Sequence, residues 1–348
     1  MPSPIDPARI GRILVTRTDR IGDVVLSTPV FSEIKKRYPK SHLAVLVLSQ
    51  TEEAVRGNPW VDEVIVYDKL GHHRRWWNTV RFALELKQKR FDVSIHLNPS
   101  NRIHWLAAFA GIPVRIGYEM KNYHVLTHSI EETKQYGKRH EADYNFDLLE
   151  LIAVPRPERY ALHFPISEPV SRSLQSLLPA SLTGPYAVFH PSASCPSKIW
   201  PPERFAEVAD RLKRDYRFSP VIIGEGEGVV HAGQMQRAMR EQAVNLAGQL
   251  SLGLLGGLLR NAALLVSNDS GPVHVASAVG TPVVSIFGRN RPGLNAARWR
   301  PISERSSYIQ KDVGCVVCPA HNCQIGFECL RELSVEEVMK EVVRYAPV

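Results

Sequence analysis

The stretch LLVSNDSGPVHVASAVGTPVVSIFG, residues 264–288, decides the fold. LLVSND (264–269) is an apolar run that reads as a buried strand. PVHVASAVG (272–280) has small and apolar residues in helical spacing, and PVVSIFG (282–288) reads as a second strand. A strand, a crossover helix and a strand in so short a segment belong to a parallel sheet. Asn268-Asp269-Ser270-Gly271-Pro272 interrupts the apolar run at the strand-to-helix turn. A core strand needs no such interruption, but an anion site does. Gly271 lets the chain turn, Pro272 suits the first helical positions, and the helix start offers free N–H groups with partial positive charge. A phosphate can sit there, helped by the Ser270 hydroxyl and by His274 in the first turn. Taken alone, Asp269 or Ser270 serves equally well as a plain N-cap.

The same alternation runs outward in both directions. In the first half, RILVTR (12–17), HLAVLVL (42–48), VDEVIVYD (61–68) and FDVSIHL (91–97) read as strands. DVVLSTPVFSEIKKRY (23–38) and RRWWNTVRFALELKQKR (74–90) read as helices. Residues 153–184 are rich in Pro and Ser and hold no sustained period. Strands then resume at YAVFHPS (186–192) and SPVIIGE (219–225), with helices at PPERFAEVADRLKRDY (201–216) and GLLGGLLRNAA (253–263). Ser334 and Glu337 have the spacing of a capping box ahead of a final helix. The expected organisation is an N-terminal Rossmann-like domain (1–165), a linker (166–185) and a C-terminal domain (186–333). A last helix (334–348) is expected to pack back towards the N-terminal domain. The fold class is α/β, with two doubly wound domains.

Bulk properties agree. At roughly 100–200 residues per domain, 348 residues make two domains. Net charge is +8 and evenly divided: residues 1–170 carry 24 Lys and Arg against 20 Asp and Glu. That balance does not suit a nucleic-acid arm, and suits anionic small molecules or an anionic membrane surface. The first 20 residues lack a basic region followed by an apolar core, so no signal peptide is expected. No stretch reaches 18 apolar residues. Cytoplasmic localisation is expected, with peripheral contact on the inner face of the cytoplasmic membrane.

Three further segments carry candidate chemistry. HPSASCPSKIWPPERF (190–205) follows the first strand of the second domain and offers Ser192, Ser194 and Lys198, the last a point charge suited to phosphate. IIGEGEG (222–228) places Glu227 where a carboxylate accepts from a ribose diol; no G-x-G-x-x-G fingerprint is present, which counts against a nicotinamide dehydrogenase. RTDRIGDVVLSTP (17–29) puts Gly22-Asp23 at the first strand-to-helix turn. Asp23 there is an N-cap or a general base for an acceptor hydroxyl.

These segments, with NPWVDEVIVYD (58–68) and CVVCPAHNCQIGFECLRELSVEEV (315–338), resemble glycosyltransferase family 9, the heptosyltransferases, over nearly the whole chain and in the family's order. The resemblance implies a GT-B fold: two facing Rossmann-like domains with a deep interdomain cleft, donor on the C-terminal domain and acceptor on the N-terminal one. It implies inverting transfer of a heptose-like sugar from a nucleotide diphosphate donor, ADP-heptose, to a lipopolysaccharide core or related glycan, with no cofactor required. Asp23 then matches the general base. Ser192, Ser194, Lys198, Asp269, Ser270, Gly271 and His274 match the donor site, and Glu227 matches it more loosely. Arg20, Arg74 and Arg75 fall on the acceptor side, facing an anionic glycolipid. The segment RNRPGLNAARWRP (289–301) departs from the short Thr/Ser-Pro turn usual in the family. A GT-B-like nucleotide-sugar epimerase and a non-catalytic nucleotide-sugar-binding protein are the alternative readings.

Two features stand outside that account. Cys315, Cys318, Cys323 and Cys329 form C-x2-C-x4-C-x5-C, compatible with structural zinc, an iron–sulfur cluster, packing thiols or a local disulfide. Trp76 and Trp77, beside Arg74 and Arg75, read as a core anchor or as a membrane-interface contact, with the core preferred.

Overall fold

The computed structural model describes residues 5–346 apart from 121, 181 and 183, and the side chain of Trp76 is likewise outside the described set. The chain divides into two compact units. Unit 1 comprises Met1–Lys134 and Glu141–Pro165; unit 2 comprises Gln135–His140 and Ile166–Val348.

Unit 1 is built on six parallel strands: β1 (Arg12–Arg17), β2 (His42–Leu48), β3 (Glu63–Tyr67), β4 (Val93–His96), β5 (Val114–Tyr118) and β6 (His128–Ile130). Their order is β3-β2-β1-β4-β5-β6. β1 is central, with Ile13 opposite Leu43 on one side and Val93 on the other. Its apolar residues are fully buried, which is why an unbroken hydrophobic run rather than an alternating one encodes it. Helices α1 (Ile21–Val25), α2 (Thr28–Arg37), α3 (Trp76–Gln88), α4 (Asn101–Phe109) and α5 (Glu141–Asp147) complete the unit. The single helix expected over 23–38 is two. Pro29 has no N–H to give the Val25 carbonyl, and the Thr28 hydroxyl donates to that carbonyl instead, at 2.7 Å. The chain breaks there, and the break ends α1 just past Asp23.

Unit 2 repeats the plan with β7 (Tyr186–His190), β8 (Ser219–Ile222), β9 (Val244–Asn245), β10 (Leu264–Asn268), β11 (Val283–Phe287) and β12 (Ser306–Gln310). The order is β12-β11-β10-β7-β8-β9, again all parallel. Its helices are α6 (Glu168–Leu177), α7 (Pro202–Tyr216), α8 (Gly228–Ala238), α9 (Leu252–Arg260), α10 (Gly271–Val279), α11 (Ala296–Trp299), α12 (Glu328–Arg331) and α13 (Val335–Val342). Within the segment expected to be a linker, α6 is a regular helix; Val170 and Leu174 lie against Gly257 of α9, where a methyl group would come within 3.3 Å of Leu174. The final helix α13 has the expected capping box, and Val335, Val338, Met339 and Val342 sit in the same core as Trp200 and Phe205.

In each unit the strand order reverses beside the first strand, between β1 and β4 and between β7 and β10. Open α/β sheets bind ligands at this point, outside the carboxyl ends of the strands.

Candidate active site

In unit 1 the first strand ends in a buried charge. Arg17 is 2% exposed at its side chain, and its guanidinium is shared among acidic and polar partners. Nε donates to Asp19 Oδ1 at 2.9 Å; Nη2 donates to Asp23 Oδ1 at 2.6 Å and to Glu141 Oε1 at 3.0 Å. Nη1 donates to Asn145 Oδ1 at 3.0 Å and to the Leu97 carbonyl at 3.2 Å. Lys134 Nζ donates to the same Glu141 oxygen at 2.8 Å. Asp23 thus sits in the first turn of α1, oriented through one carboxylate oxygen, with its side chain 14% exposed. The three carboxylates outnumber the two cations. Burial first, and repulsion from Asp23 and Glu141, push Asp19 up to about 7 against the pull of Arg17. Arg17 itself is held charged by the same three carboxylates. Of this network the sequence reading singled out only Asp23.

In unit 2, Lys198, Asp269, Ser270 and Gly271 gather beyond the carboxyl ends of β7 and β10. Lys198 Nζ lies 2.8 Å from Asp269 Oδ2 and also donates to the Asp269 carbonyl at 3.2 Å. Arg289 Nη2 reaches the same carboxylate oxygen at 3.2 Å. Two cations therefore face one carboxylate, leaving one net positive charge among nearly buried groups. Arg289 Nε is buried with no hydrogen-bond partner among the described residues. Such an orphaned donor is costly unless a ligand completes it. Arg289 opens the segment that departs from the family pattern, and the sequence reading assigned it no role.

Ser270 is the N-cap residue of α10, yet its hydroxyl makes no cap bond to that helix. It instead meets His190 Nδ1 at 3.0 Å and Ser267 Oγ at 3.0 Å. Burial, then repulsion by His231, pushes His190 down to about 4, so the ring is neutral at pH 7. With the proton on Nδ1, the ring donates to Ser270 and leaves the serine hydrogen for a ligand. Gly271 begins α10 and His274 is buried in its first turn. Ser192 is buried with its hydroxyl 3.3 Å from His231 Nδ1, whereas Ser194 is exposed. Glu227 is exposed at the N-cap of α8. Its turn is tight: a side chain at Gly224 would strike the Gly228 carbonyl at 2.6 Å.

The remaining predicted residues lie elsewhere. Arg20 is the exposed N-cap residue of α1. Arg74 and Arg75 are exposed ahead of α3, with the Arg75 guanidinium 5.1 Å from the centre of the Trp77 ring. Trp77 is exposed, which overturns its reading as a core anchor: α3 buries Phe82, Ala83 and Leu86, and Trp77 lies on the opposite side.

Cys315, Cys318, Cys323 and Cys329 line one cavity of about 320 Å³ within unit 2. Among the described residues no group of three His, Cys, Asp or Glu side chains stands in a metal-holding arrangement. The Cys329 thiol donates to the Gly288 carbonyl at 3.1 Å, and burial with the neighbouring thiols pushes it up to about 11. Cys323 Sγ accepts from the Phe327 N–H at 3.3 Å. All five cysteines are free thiols.

Two Rossmann-like units, each an open parallel sheet with its strand order reversing beside the first strand, have the architecture of the GT-B class of glycosyltransferases. The sequence profile of glycosyltransferase family 9 (heptosyltransferase) matches residues 79–326. The chain belongs to that family and is an enzyme. A lipooligosaccharide heptosyltransferase 2 of Haemophilus ducreyi is 25% identical over 349 residues, covering 95% of this chain and 98% of its own. The crystal structure of a family 9 glycosyl transferase from Veillonella parvula superposes with a TM-score of 0.87 at 26% identity, over 99% of each chain. The Escherichia coli ADP-heptose lps heptosyltransferase II superposes at 0.79 with 22% identity, over 96% of this chain and 98% of that one. No helix among the described residues is long and apolar enough to cross a membrane.

Proposed function

We propose that the protein is an inverting, metal-independent heptosyltransferase that moves a heptose from ADP-heptose to a lipopolysaccharide core or related glycan. The observation that carries the reading is the Lys198–Asp269–Arg289 clamp beside the start of α10. Its surplus positive charge, the orphaned Arg289 Nε and the helix N–H groups suit a diphosphate. That the chain's relatives are lipooligosaccharide and lipopolysaccharide heptosyltransferases supports heptose and a lipopolysaccharide acceptor, and its likeness to the Escherichia coli ADP-heptose lps heptosyltransferase II supports ADP-heptose.

Two sets of residues divide the chemistry. On the acceptor side, Arg17 holds Asp23 by Oδ1 and leaves Oδ2 to accept the proton of the attacking hydroxyl. The acceptor oxygen bonds to the anomeric carbon as the bond to the diphosphate oxygen breaks, with inversion. Charge then grows on the leaving diphosphate. Lys198, Arg289, the Ser270 hydroxyl and the α10 N–H groups stabilise it, the work a divalent cation does in other transferases.

Replacing Asp23 with Asn tests the division of labour. Transfer from ADP-heptose should fall by about 10²–10³-fold or more, while thermal stabilisation by ADP stays within error of wild type. Full transfer by the variant would remove Asp23 as the base. Stabilisation by UDP or GDP but not ADP would move the donor assignment.

A further inference from the structure

Helices α3 and α4 cover one face of the unit 1 sheet and share a core made by Phe82 and Leu86 with Ile103 and Leu106. Their outer sides are unusually apolar. Trp77, Val80 and Leu84 recur at helical spacing along α3, and Trp105 and Phe109 along α4, all between 39% and 57% exposed. The Trp105 and Phe109 rings stack at 5.4 Å. Isolated exposed apolar residues are ordinary, but five on two adjacent helices make a patch that marks an interaction surface.

The charges around it identify the partner. Residues 74–88 and 101–109 contain Arg74, Arg75, Arg81, Lys87 and Arg102, against one carboxylate, Glu85, which pairs with Arg81 at 3.5 Å. Tryptophan bordered by arginine is the chemistry of a bilayer interface, where the ring sits at headgroup depth and the cation meets lipid phosphate. A second copy of this chain is disfavoured, because a symmetric pairing would set this cationic surface against itself. The position also fits. Both helices begin at the carboxyl ends of their strands, the edge of the sheet at which β1 delivers Asp23.

We infer that the outer face of α3 and α4 is a docking surface for an anionic phospholipid bilayer, the aromatic rings entering the headgroup region and the arginines pairing with phosphate. The inference deepens the acceptor reading above and rests on it for its purpose, since a membrane-anchored acceptor would then be presented at the Asp23 edge. Shallow insertion of a few side chains with electrostatic support gives reversible attachment.

Flotation of the full chain with vesicles tests it. Phosphatidylcholine mixed with phosphatidylglycerol should carry the protein up, phosphatidylcholine alone should not, and added salt should release it. The triple variant Trp77→Ser, Trp105→Ser, Phe109→Ser should lose binding by about tenfold or more, with the ADP-induced thermal shift unchanged as proof of folding. Should the variant fail to fold, quenching of wild-type tryptophan fluorescence by brominated anionic lipid reads insertion directly. Absence of wild-type flotation, equal flotation of the folded variant, or absence of quenching each overturns the proposal. So does concentration-dependent dimerisation that the triple variant abolishes while vesicle binding stays zero. Loss of transfer with vesicle binding intact would instead count against the acceptor reading alone.

Discussion

Asp23 is set by its neighbours more than by its own position. Arg17 lies between Asp19 and Asp23, so the charge on Asp19 decides how strongly the guanidinium pulls on Asp23. Below pH 7, Asp19 is largely neutral and Arg17 is shared among fewer charged partners, Asp23 and Glu141. Above pH 7 the Asp19 carboxylate competes for the same guanidinium and loosens its hold on the Asp23 carboxylate. The transfer rate should therefore rise through an ionisation near 7, the position to which Asp19 is pushed. In Asp19→Asn that rise should vanish and the rate at pH 8 should drop several-fold, with ADP binding unchanged. A pH–rate profile of the variant that keeps the wild-type inflection would refute the coupling. The position of Asp23 at the start of α1 was legible because a Gly-Asp pair at a strand-to-helix turn is a local signal. Glu141 was not, because it stands 124 residues from Arg17 and nothing around it announces the partner. Arg289 escaped for a related reason: the meaning of an arginine just past a strand depends on what faces it, here the carboxylate of Asp269.

At the level of elements, the most readable feature was the end of the chain. Ser334 Oγ accepts from the Glu337 N–H at 3.2 Å, and the Glu337 carboxylate accepts from the Ser334 N–H at 2.8 Å. Because α13 completes the unit 2 core through Val338 and Val342, loss of the cap should be felt beyond the helix. Ser334→Ala should cost about 1 kcal/mol in urea unfolding, with activity at low denaturant unaffected. A midpoint equal to wild type would mean that core packing alone holds α13 in place. Central strands were legible because unbroken apolar runs have few other fates. The breaks were harder. Pro29 splits α1 from α2 only because Thr28 can take over the orphaned carbonyl, a side-chain choice that periodicity does not register. α6 looked like linker because Pro and Ser dominate its surroundings, and its short apolar stripe acquires meaning only against Gly257 of α9.

Across the whole molecule, buried neutral histidines set the acid limit. His104 in unit 1 and His190 in unit 2 are both pushed down to about 4, chiefly by burial, and His96 is lowered as well. Unfolded, each would bind a proton at its ordinary value of 6.5. Their contribution is therefore complete above that value and drains away as the pH falls towards 4. Asp19 has the opposite sign, since its raised folded value makes its contribution fade as the pH rises through 7. Calorimetry should show melting temperatures highest near neutrality and falling through the acid range; a flat profile between about pH 4.5 and 6.5 would refute the histidine account. The doubly wound plan was readable twice over, because the same alternation occurs in both halves.

What no local pattern revealed is that Gln135–His140 belongs with unit 2. His140 Nε2 donates to the Arg300 carbonyl at 2.8 Å, and Gly137, at φ +57°, lies so close to Gly293 that a methyl group would come within 2.2 Å of its nitrogen. The backbone therefore passes between the units three times: into unit 2 after Lys134, back at Glu141, and over again after Pro165. Neither unit is a contiguous stretch of the chain, so no single cut separates the two without leaving six residues of unit 2 on the N-terminal piece. A nick between 165 and 166 would leave the N-terminal fragment still holding its borrowed piece of unit 2, like a key left in a lock.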